Sequence, residues 1–119
     1  MSTTFPAETL VCQLDAIAED NRTPHMALAT QLIFHMAQER VELADGYAFR
    51  FPAEDYPALV AFIGNERLCC AFFRFELIVE PQHGPVWLRL CGTPDVKAYL
   101  AEQLESHTLR PGATEETNA

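Results

Sequence analysis

Basic residues are scarce in this chain, with 8 Lys and Arg against 17 Asp and Glu and a formal charge of -9. The long-range field repels phosphate backbones and anionic lipid surfaces, which excludes nucleic acid as an expected partner. No segment approaches the roughly 18 uninterrupted apolar residues of a membrane span. Residues 1–10 lack the basic cluster and apolar stretch of a signal peptide. The expected location is cytoplasmic, with no membrane partner, so the sequon Asn21-Arg22-Thr23 is read as chance. Phosphate loop, dinucleotide fingerprint, nucleophile elbow, zinc-protease helix and internal repeats are all missing. His25, His35, His83 and His107 have no metal-ligand spacing to one another and are expected to be non-functional, His83 as a solvated turn residue.

What is present suits one ordinary globular domain. Hydrophobic residues make up 49% and charged residues 21% of 119 positions, enough for one core without disulfides or a structural metal. The expected domain covers residues 1–107. Residues 108–119, with Pro111, Gly112, Glu115 and Glu116, read as a disordered acidic tail.

Residues 9–14 alternate as a strand with Leu10, Cys12 and Leu14 on one face. Thr23-Pro24 is a helix start signal, and Leu28, Leu32, Ile33, Met36 and Leu43 predict a helix over 24–43 that Asp45-Gly46 stops. Tyr47, Phe49 and Phe51 mark a half-buried strand ended by Pro52. A second helix runs from Glu54-Asp55 to Cys70 or Phe72. A hairpin joins residues 73–79 to 86–90 across the turn 81–85, and Thr93-Pro94 opens a closing helix with Val96, Tyr99, Leu100 and Leu104 inward. The order β-α-β-α-β-β-α predicts an α+β fold class, a four-stranded, mostly antiparallel sheet with helices packed on one face.

The chemistry-bearing feature is the adjacent pair Cys69 and Cys70, with Cys12 and Cys91 elsewhere. In a cytoplasmic protein these thiols are expected to be reduced, and their spacing argues against a disulfide framework. Helical spacing of about 100° per residue puts Tyr56, Leu59, Val60, Ile63 and Cys70 on the apolar stripe and Cys69 at its boundary, the more reactive of the two. Glu66 lies three and four residues before the pair, as a ligand or base. Its charge and the helix carboxyl terminus both disfavour thiolate. Vicinal thiols suit soft acceptors such as mercuric, cuprous or trivalent arsenic species, with Cys12 as the third ligand. Simple core packing competes with that reading, and for Cys91 packing is the expectation. A second alternative is an interaction or homodimer module using the exposed hairpin face of Trp87, Arg89, Arg74 and Glu76, where cross-strand Arg-Glu pairing is the plainer reading. A third alternative is an enzyme or redox sensor with Cys69 as nucleophile; nothing in the sequence marks a substrate pocket for it, and the reading leans to non-catalytic.

Glu66-Arg67-Leu68-Cys69-Cys70-Ala71-Phe72, the phenylalanine-rich strand 73–79, Gly84-Pro85-Val86-Trp87-Leu88-Arg89-Leu90 and Val96-Lys97 carry a resemblance over most of residues 8–105. The chain resembles a group of small uncharacterised bacterial proteins with a Cys-Cys-Pro-Phe segment, loosely associated with heavy-metal, especially mercury, resistance contexts. The resemblance implies a metal role for the thiols but no established activity. Ala71 stands where that group has proline, so the helix is free to run on past the thiols.

Overall fold

The computed structural model describes residues 12–108. They form three helices, α1 (Glu19–Gln31), α2 (Tyr56–Cys69) and α3 (Pro94–Thr108), and four strands, β1 (Glu39–Leu43), β2 (Gly46–Phe51), β3 (Arg74–Val79) and β4 (Val86–Cys91). The sheet is antiparallel throughout, in the order β1-β2-β4-β3. This is the expected α+β class with the expected four strands.

One strand lies elsewhere than the sequence pattern suggested. Residues 9–11 and 109–119, parts of the expected first strand and acidic tail, fall outside the described residues. Cys12 and Gln13 join no sheet, and Leu14–Ala16 makes a 3-10 turn. The missing strand is β1, taken from the end of the segment predicted as helix 24–43. Helix α1 begins five residues earlier than Pro24, with Glu19 and Asp20 in its first turn, where negative charge is favoured. Arg22 supports that start, its Nε donating to the Ile17 carbonyl at 2.9 Å. Pro24 has no N–H to donate to the Asp20 carbonyl, and both residues are exposed.

The chain then widens into a π turn, Leu32–Met36, closed by the Ala37 N–H on the Leu32 carbonyl at 2.9 Å. The Gln38 N–H reaches the Arg50 carbonyl at 2.7 Å and opens the sheet pairing. Edge strand β1 is almost wholly exposed and carries Glu39, Arg40 and Glu42, charges that discourage pairing with another sheet. At the other end of the hairpin a Cβ on Gly46 would strike the Leu90 carbonyl oxygen, so only glycine lets β2 lie against β4 there.

Period-two alternation sends Phe49 and Phe51 to the same face as their partners Leu88 and Val86. All four are at most 1% exposed and pack with Leu32, Leu59, Phe62, Val96, Leu100 and Leu104 from the helices and the π turn. Each such side chain contributes roughly 1.5–3 kcal/mol by burial. On the opposite face Glu76 accepts from Arg74 at 2.8 Å and from Arg89 at 3.1 Å. The Arg89–Glu76 pair is the expected cross-strand pairing, whereas Arg74 and Glu76 are neighbours on β3. Trp87 beside them is half-buried.

Candidate functional site

Helix α2 ends at the thiols. The Cys70 N–H still donates to the Glu66 carbonyl at 2.7 Å, but Cys70 leaves helical geometry at φ -118°, ψ 72°. Ala71 and Phe72 form a turn into β3. The helix does not run on, although Ala71 could have extended it; the chain turns and Phe73 joins the core.

The buried side of α2 is Leu59, Phe62 and Cys69, whereas Tyr56 and Val60 are 44% and 45% exposed. The apolar stripe was thus misphased by a fraction of a turn. In a helix this rich in apolar residues, periodicity alone does not choose between Val60 and Phe62; ring size and sheet contact do. As a result Cys69 is not at a boundary: it is 4% exposed and Cys70 1%.

Cys12 reaches the pair. The Gln13 N–H donates to the Cys69 carbonyl at 2.8 Å, pinning the segment before α1 against the end of α2. Cys12 and Cys70 form a disulfide with Cα atoms 4.7 Å apart, which corrects the expectation of four reduced thiols. Spacing along the chain could not show it, because the partners are 58 residues apart and only the fold juxtaposes them. Cys69 remains a free thiol, its Sγ 3.8 Å from that of Cys70. The sulfurs of Cys12, Cys69 and Cys70 all lie within 4.8 Å of one another.

Burial pushes the Cys69 thiol above its ordinary value of 9.0. The Glu66 carboxylate adds to the shift, and the Gln13 backbone N–H works against it. The thiol is therefore neutral and a poor nucleophile near pH 7, in keeping with the sequence argument.

Glu66 faces the cavity that the sulfurs line, but it lies outside the sulfur cluster and its Oε1 bonds His25 Nε2 at 2.7 Å. His25 is the residue that sequence reasoning missed. It is 2% exposed and stacks on Phe62 with ring centroids 5.7 Å apart. Its phase with Leu28 on α1 and Leu32 at the start of the π turn was the available signal. Tyr99, expected only as core, also belongs here. Its hydroxyl stands 3.4 Å from Cys12 Sγ and, since a disulfide sulfur has no proton, is the donor. Cys91 is a free thiol, 2% exposed, and His83 is an exposed turn residue.

The sulfurs open onto a cavity of about 540 Å³ whose walls are chiefly apolar, with Met26, Ile33, Phe34 and Leu104 among them. No described helix is long and apolar enough to cross a membrane. No protein-family model, curated protein or solved structure matches the chain.

Proposed function

We propose that the protein, once the Cys12–Cys70 bond is reduced, binds one soft, thiophilic metal ion through the sulfurs of Cys12, Cys69 and Cys70. The observation that carries this reading is the gathering of three sulfurs from two distant parts of the chain within 4.8 Å. An ambient dithiol supplies the two electrons and two protons that turn the disulfide into two thiols, as expected in a reducing compartment. The metal then displaces thiol protons on binding.

An all-sulfur set of three favours mercuric, cuprous or trivalent arsenic species, which accept few and soft ligands. Zinc prefers four ligands in a tetrahedron, and the cluster among the described residues supplies three. Glu66 is an accessory negative charge near the site. The raised Cys69 pKa fits a thiol that ionises when a metal arrives and favours binding over nucleophilic catalysis.

Native mass spectrometry of the reduced protein with mercuric, cuprous and zinc ions, beside Cys69→Ala/Cys70→Ala, tests the proposal. It expects a single mercuric or cuprous adduct, absent from the double variant, and weaker retention of zinc. Equal adducts in both proteins would return these cysteines to the role of core packing.

A further inference from the structure

A bare ion bound to three sulfurs needs no room beyond its own coordination shell, yet these sulfurs form part of the wall of a cavity of about 540 Å³. That volume lies in the range of small-molecule sites, roughly 300–1,000 Å³, and an apolar cavity of about 150 Å³ already holds benzene. Mostly apolar side chains from α1, the π turn, α2, β4 and α3 line the rest, with Thr30 and Gln103 polar, and Glu66 is the one charged residue among the described lining residues. Among the described lining residues there is no Lys, Arg or His, so an anionic ligand finds no counter-charge there, whereas a cationic one finds Glu66, whose Oε1 also bonds His25.

Resting on the three-sulfur reading, we propose that the preferred ligand is a soft metal centre bearing one apolar organic group, an aryl- or alkylmercuric cation. The metal bonds to a cysteine sulfur and the organic group lies in the cavity against Ile33, Phe34 and Leu104. For the phenylmercuric ion, a sulfur–mercury bond forms as the thiol gives up its proton to solvent. The mercury–carbon bond stays intact, and nothing is oxidised or reduced.

The test is competition against glutathione for the reduced protein, read by native mass spectrometry with mercuric, methylmercuric and phenylmercuric ions. Glutathione leaves the organic group of either competitor in water, so the ratio of the two organic affinities reports the cavity alone. Moving the additional ring carbons out of water favours phenylmercuric over methylmercuric by on the order of tenfold or more. Filling the cavity with Ala29→Phe or Thr30→Leu is expected to abolish that preference while mercuric ion still gives one adduct. Equal affinities in the unaltered protein, or a preference that both filling variants retain, would overturn this inference. The wild-type comparison decides the matter even if a filling variant misfolds. Mercuric ion binding without an organic preference refutes only the cavity ligand; failure of all three ions refutes the three-sulfur site as well.

Discussion

Reducing the Cys12–Cys70 bond should cost the protein a large part of its stability. The bond closes a loop with a sequence separation of 58, which contains α1, β1, β2 and α2. In the chain-entropy description, closing a loop of that length removes about 14 cal/mol/K from the unfolded ensemble, or about 4 kcal/mol at 25 °C. For a domain of this size that corresponds to a fall in Tm of roughly 15–30 °C. Urea and thermal denaturation, followed by fluorescence of the single Trp87 with and without a phosphine reductant, measures the difference. Cys12→Ala/Cys70→Ala should reproduce the loss in oxidising buffer and show no further response to reductant. One equivalent of mercuric ion should return much of the lost stability to the reduced wild type, because a metal bridging Cys12 to the end of α2 closes the same loop. A loss below about 1 kcal/mol on reduction of the wild type, or a further loss of equal size when the double variant is treated with reductant, would refute the reasoning.

Other substitutions probe the scaffold around the site. Gln82 and His83 both have φ of 59° in the β3–β4 turn, a left-handed geometry that costs an L residue about 1–2 kcal/mol; His83→Gly should therefore raise the urea midpoint, and a lowered one would count against it. Gly46→Ala drives a Cβ onto the Leu90 carbonyl oxygen and should destabilise the β2–β4 pairing by more than about 2 kcal/mol, measurable by the same denaturation. His25→Ala strips Glu66 of its buried partner, and a loss of about 1.5–3 kcal/mol is expected. Burial and Asp45 hold the Cys91 thiol above 9.0. The folded protein thus keeps a proton that the unfolded chain releases, and this contribution is present below about pH 8.5 and lost as pH climbs further. Cys91→Ala should flatten the fall in stability between pH 8 and 10; an unchanged slope would reject that cause.

The sequence showed some features by local chemistry and hid others that depend on distant contacts. The β3–β4 hairpin, β2 and α3 were legible because alternation at Phe49 and Phe51, the turn residues 81–85 and the Thr93-Pro94 start signal are short-range. Strand β1 was hidden because Glu39-Arg40-Val41-Glu42-Leu43 is as acceptable in a helix as at a charged sheet edge; only pairing with β2 decides. Pro24 suggested a helix start, and the earlier start depends on Arg22 reaching back to Ile17. The approach of Cys12 to the vicinal pair was expected from a strand; among the described residues Cys12 and Gln13 join no sheet, and the Gln13 N–H bond to Cys69 holds the segment in place. The pairing of His25 with Glu66 and the disulfide partner of Cys70 required the third dimension.

The central claim, that three sulfurs act together on one soft ion, is tested most directly by X-ray absorption at the mercury edge on the reduced protein loaded with one equivalent of mercuric ion. The account predicts a first shell of three sulfurs in the wild type and two in Cys12→Ala. A two-sulfur shell in both proteins, or a shell containing oxygen or nitrogen, would contradict it.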